Sequence, residues 1–125
     1  MTKYPKEKAI FYHQLIAQAT GGGVGLRDAK LLESALESAF RTFEGVELYP
    51  TKEAKAAQLA FALTNNHAFV DGNKRIGMYI MLAFLRQNGI SIDATDEEIY
   101  RVGNAIATKE MRQDDIVAWI RMHKA

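Results

Sequence analysis

Cysteine is absent from the 125 residues of this chain. That excludes disulfides and thiolate metal sites, and it fits a reducing compartment. Long hydrophobic runs are missing too. The longest is Ile76–Leu85, interrupted by Gly77, whereas a bilayer-spanning helix needs about 20 apolar residues. The opening stretch Met1–Lys8 is polar and lacks the apolar segment of a signal peptide. These absences predict a cytoplasmic protein without a membrane partner. Charge of one sign is not in excess: 16 Lys and Arg face 15 Asp and Glu, for a net charge of +1. No basic footprint for direct nucleic-acid binding follows from that balance. Strand signals are nearly absent, with no sustained period-2 alternation and no hairpin turn between β-branched runs.

Helical periodicity is what remains. The length predicts one domain over residues 1–125, large enough to bury roughly two thirds of its unfolded surface. A first helix over 6–19 ends at the cluster Gly21-Gly22-Gly23. A second, over 27–41, carries Leu31, Leu32, Ala35, Leu36 and Ala39 at helical spacing. Pro50 marks a turn and Thr51 caps a third helix over 52–66. A fourth over 73–88 stops at Asn88-Gly89, with glycine in the left-handed conformation. Thr95 and Glu98 form a capping box for 96–107, and Asp114 or Asp115 opens a last helix through Trp119 and Ile120. The expected fold is therefore all-α, a compact bundle of about six helices. Segments 52–66 and 73–88 are apolar on more than one face, which predicts that both are central and buried.

Between those two central segments lies the run His67-Ala68-Phe69-Val70-Asp71-Gly72-Asn73-Lys74-Arg75. Lys74 and Arg75 fall in the first turn of the following helix, where the dipole disfavours cations by about a few tenths of a kcal/mol each. An anion would remove that conflict, because free N–H groups, the dipole and both cations would converge on it. Gly72 permits a sharp turn and close approach to a phosphate. Asn73 can cap the helix or donate its amide to a phosphate oxygen. His67 has the ordinary pKa range of a general base. The Asp71 carboxylate can bind Mg²⁺ beside phosphate oxygens. Phe69 and Val70 are expected to point inward and anchor the loop.

Each residue also has a plainer role. A lone histidine at a helix end is most often a capping group, Asp71 alone is an N-cap, Asn73 a turn residue, and Lys74 and Arg75 are solvated charges. Those readings lose force when all of them must coincide within nine residues. Elsewhere the plainer roles prevail. The glycine cluster reads as an interhelical turn, lacking the strand and lysine of a P-loop. His13 is expected to pack beside Phe11 and Tyr12, His123 to be a solvated tail residue, Met78 and Met81 to fill core, and Trp119 to pack against it.

The run His67–Arg75 resembles the signature of the Fic/Doc family, H-x-F-x-[DN]-[AG]-N-[KG]-R, and Lys74 resembles its Doc (death-on-curing) branch. The similarity extends to Gly25-Leu26-Arg27-Asp28, Leu31–Leu36, Glu47-Leu48-Tyr49-Pro50 and Phe84–Gly89, covering roughly residues 10–92. The resemblance implies a compact helical fold and an ATP-using transferase acting on a protein. It implies that His67 takes the proton of the target hydroxyl and that Asp71 binds Mg²⁺. It implies that Gly72, Asn73, Lys74 and Arg75 hold phosphates of ATP. Doc-type members are toxins that resemble kinases of elongation factor Tu. Fic AMP-transferases carry glycine at the Lys74 position and a second arginine at the Met78 position, so the resemblance favours phosphate over AMP transfer. A nucleotidyl (AMP) transferase acting on a protein and a non-catalytic helical binding module are the alternatives. An inhibitory [ST]-x-x-x-E-[GN] motif is not found here: none of the Ser or Thr residues has Glu four positions later. Restraint is therefore expected from a separate Phd-like antitoxin that folds a segment onto the surface.

Overall fold

A computed structural model describes residues 1–23 and 25–125; Val24, inside the glycine cluster, lies outside the described residues. Among the described residues there are six α-helices: α1 (Lys6–Thr20), α2 (Ala29–Ser38), α3 (Lys52–Asn66), α4 (Asn73–Gln87), α5 (Asp96–Ala107) and α6 (Gln113–Met122). None is long and apolar enough to cross a membrane. The caps explain most boundaries. Asp28 accepts from the Lys30 and Leu31 amides, Thr51 from Ala54, and Thr95 with Glu98 forms a reciprocal capping box. Gly21 and Gly89 take the left-handed conformation at helix ends. Helix α6 starts at Gln113, one or two residues earlier than an opening at Asp114 or Asp115. Asp115 acts from inside the first turn, accepting from the Arg112 amide at 2.9 Å.

Helices α3 and α4 form the centre, as their all-round apolarity requires, with Leu59, Leu63, Ile76, Ile80, Met81 and Phe84 fully buried. They pack unusually close at one point. A Cβ on Gly77 would lie 2.6 Å from Thr64 Oγ1 and 3.2 Å from the Ala60 carbonyl. Gly103 similarly admits α5 against Met78 and Lys74 of α4. Helices α1, α2, α5 and α6 surround this pair.

One expectation about strands fails. Thr42–Phe43 (β1) and Val46–Glu47 (β2) form a short antiparallel hairpin. Glu44 and Gly45 both have positive φ, 51° and 80°, the geometry of a type I′ turn. Two residues per strand are too few to leave an alternation signal. Phe43 and Val46 are two-thirds exposed, so burial does not drive the pairing. The hairpin is held instead from its far end. Lys55 on α3 is only 1% exposed, donates to Glu47 at 3.0 Å and to the Tyr49 carbonyl, and lies 5.2 Å over the Phe40 ring.

His123 is also not a solvated tail residue. Its ring stacks on Trp119 at 4.2 Å, Nδ1 faces the Trp119 carbonyl at 2.7 Å and Nε2 faces Glu98 at 3.0 Å. Beside it the backbone of Ile92 bridges Lys124, so the chain end is tied to the turn before α5.

Candidate functional site

The run His67–Gly72 connects the two buried helices, so its polar residues are fixed at the rim of the core. His67 is the C-cap of α3, in the left-handed conformation at φ 52°, which a non-glycine residue adopts at a cost of roughly 1–2 kcal/mol. The Arg27 side chain donates from Nε to the His67 carbonyl at 2.8 Å and holds that turn. The imidazole remains exposed. Phe69 is buried and anchors the loop, but Val70, its expected companion, is 64% exposed. The reason is backbone pairing: Leu26 bridges Phe69, and Val70 donates to the Gly25 carbonyl at 3.1 Å. Successive side chains therefore point to opposite sides.

Asp71 does not cap α4. Gly72 takes the N-cap position at φ 76° without a side-chain cap. The Asp71 carboxylate instead accepts from the Gly72 amide at 2.8 Å and from the Gly23 amide at 3.2 Å. Those amides, Gly23 first, hold its pKa below the ordinary 3.8, helped by Arg75 and His13. Asn73 braces the loop from inside: its side chain accepts from the Phe69 amide at 3.2 Å and donates to the Phe69 carbonyl at 3.1 Å. Its amide group thus already has a backbone partner. Lys74 donates to Asn104 of α5 at 2.9 Å, and Arg75 to Thr20 at the end of α1 at 3.3 Å. Both cations are exposed, and they are tethered to opposite walls.

His67, Asp71, Gly72, Asn73, Lys74 and Arg75 all line one open groove of about 760 Å³. Its far wall is apolar and comes from α4 and α5, with Leu82, Ile99 and Tyr100 among its residues. Sequence reasoning did not find that wall, because nothing local in 96–107 marks it apart from an amphipathic helix. It also missed the partners of the loop. The glycine cluster is an interhelical turn, as expected, but it is packed on the loop: a Cβ on Gly22 would lie 3.3 Å from Asp71 Oδ2. His13 packs, as expected, yet its contact is Phe69 of the loop, not Phe11 or Tyr12. The rings are parallel within 10° at 3.8 Å, and Nε2 donates to the Asp71 carbonyl at 2.6 Å. One sequence signal pointed there: Ala9, His13 and Ala17 are the buried stripe of α1, a polar residue between two small ones at helical spacing.

Among the described residues, no cluster of three or more His, Cys, Asp or Glu could hold a metal ion. Asp71 is a single carboxylate with lone pairs left after its two amide bonds. Mg²⁺ is commonly held by one or two carboxylates together with substrate phosphates, keeping several waters. The donor set therefore suits a cation that arrives with a nucleotide.

Comparison with known proteins follows the same line. A Toxin Doc of Mycolicibacterium smegmatis is 39% identical over 121 residues, covering 94% of this chain and 91% of that protein. The model of the Fic/DOC family, whose members are enzymes that transfer groups from nucleotides to proteins, matches residues 4–85, from α1 through nearly all of α4. With the family pattern running through the helices that build the groove and the motif at its rim, the chain belongs to the Fic/Doc family.

Proposed function

We propose that this chain is the toxin of a toxin–antitoxin pair and a protein kinase, transferring the γ-phosphate of ATP to a hydroxyl of a target protein. The observation that carries this reading is the gathering of His67, Asp71 and Arg75 on the rim of one groove wide enough for a nucleotide. His67 accepts the proton of the target hydroxyl. The hydroxyl oxygen then bonds to the γ-phosphorus as the bond from phosphorus to the β,γ-bridging oxygen breaks, and ADP leaves. Asp71 would hold Mg²⁺, which supplies charge neutralisation on the phosphates when bound. Gly72 offers its backbone, Asn73 keeps the loop rigid, Lys74 meets phosphate oxygens from its place beside Asn104, and Arg75 swings from Thr20 to oxygens of the nucleotide.

Two features support phosphate over AMP transfer. The Lys74 side chain spans from α4 to Asn104, filling space that a glycine leaves open for a diphosphate. Met78, where a second arginine would clamp phosphate, is buried with the core. Elongation factor Tu is the target that the Doc resemblance favours. Because the 39% identical relative is named Toxin Doc, a Phd-like antitoxin is the expected partner.

Incubation with Mg-ATP and elongation factor Tu, read by intact-mass spectrometry, tests this. The expected result is a gain of one phosphate on the factor that disappears with His67→Ala. A gain of AMP would overturn phosphate transfer, and an unmodified factor would overturn that target.

A further inference from the structure

We infer that His13, on the first helix and outside the motif, is a positioning residue that sets where the motif loop presents the Asp71 carboxylate. It rests on the kinase reading for its consequence but on geometry for its existence. His13 is 3% exposed, and a cavity beside it, also touching Thr20 and Arg75, measures only about 10 Å³. That volume holds at most about one water, so no substrate reaches this imidazole and it is not a catalytic residue.

Its contacts are directed all the same. A carbonyl only accepts, so the 2.6 Å approach of Nε2 to the Asp71 oxygen requires a proton on Nε2. The stack on Phe69 at 3.8 Å orients the ring for that bond. Gly72 completes the fit, since a Cβ there would lie 3.4 Å from Nε2. Asp71 is therefore gripped at three atoms: its carbonyl by His13, Oδ2 by Gly23 and Oδ1 by Gly72. Two of those three grips come from α1 and the turn after it. A phenylalanine at 13 would serve packing equally well, but it has no donor for the Asp71 carbonyl.

Two variants separate these roles. His13→Phe keeps a ring on Phe69 and removes the donor; His13→Gln keeps a donor and removes the stack. Three quantities are read: hydrogen exchange of the Val70 and Gly72 amides, Mg-ATP binding by calorimetry, and transfer rate against Mg²⁺ concentration. The expected result for His13→Phe is cooperative melting with exchange and Mg²⁺ requirement each raised about tenfold, the order of one ordinary hydrogen bond. The maximal rate should fall less, and His13→Gln should recover most of the loss. Parental exchange and Mg²⁺ requirement in His13→Phe would overturn the inference, as would a Gln variant worse than the Phe one. If His13→Phe does not fold, His13→Leu against His13→Gln makes the same comparison. Should the parent show no His67-dependent transfer, the kinase reading fails, while exchange and Mg-ATP binding still decide the role of His13.

Discussion

The two ends of helix α3 treat charge in opposite ways. At the N-terminal end Lys55 is buried and surrounded: Glu47, the Tyr49 carbonyl and the Phe40 ring leave its ammonium no contact with water. At the C-terminal end His67, Asp71, Lys74 and Arg75 are exposed, and their backbone and carboxylate positions are held by amides, carbonyls and Asn73. The first arrangement joins a hairpin to the core. The second keeps ionisable groups available and fixes their geometry. Burial with complete pairing marks a structural charge, whereas exposure with a rigidly held backbone marks a group kept for chemistry.

The sharpest test of this contrast is His67→Gly. Transfer should drop by about 10²–10⁴-fold, the usual share of a general base. Stability should rise by about 0.5 kcal/mol, because relief of the left-handed strain, roughly 1 kcal/mol, outweighs the added freedom of the unfolded chain. Urea unfolding and a transfer assay read both; a variant both less active and clearly less stable would make His67 a structural cap.

At the other end, Lys55→Ala should lose about 3 kcal/mol, from the cavity left by the stem and the stranded Tyr49 carbonyl. Lys55→Met, which keeps the stem, should lose less than half of that. A loss within about 0.5 kcal/mol for the alanine variant, the range of ordinary surface changes, would remove the distinction between the two ends.

Between the ends, Gly77→Ala should destabilise by about 1–3 kcal/mol, because the Ala60 carbonyl is backbone and cannot rotate out of the way. Adding Thr64→Ala removes the closest atom and should recover part of the loss. Thermal melting of the double variant that shows no recovery would place the clash on the backbone alone.

The smallest expected effect concerns pH. The carboxyl of Asp71 is held below its ordinary 3.8 by the Gly23 and Gly72 amides. A depressed folded pKa contributes stability that is present above the unfolded value and lost as pH falls through the folded one. The stability difference between the protein and Asp71→Asn should therefore stay level from pH 7 to about 5 and change only below about 4. A difference that changes between pH 6 and 7 would point to a histidine instead.

Much of the architecture was legible because it is written locally. Thr51, Thr95 with Glu98, and Gly89 stop or start helices through bonds spanning three or four residues, and the all-round apolar segments could only be central. The hairpin escaped because a two-residue strand carries no period. Val70 faces outward, against its apolar character, because its direction follows from pairing with Gly25, forty-five positions earlier in the chain. The packing of His123 is hidden from local pattern for the same kind of reason, its partner Glu98 being on another helix.

By itself, then, the chain determined its helices, its central pair and the residue types gathered between them, since capping, periodicity and turn chemistry act over a few positions. Tertiary structure alone decided how that chemistry is aimed. Asp71 is held by Gly23 and His13 across 48 and 58 residues, and Lys74 reaches Asn104 across 30. Such contacts leave no trace in local pattern, because they exist only when packing brings α1 and α5 against the ends of the buried pair.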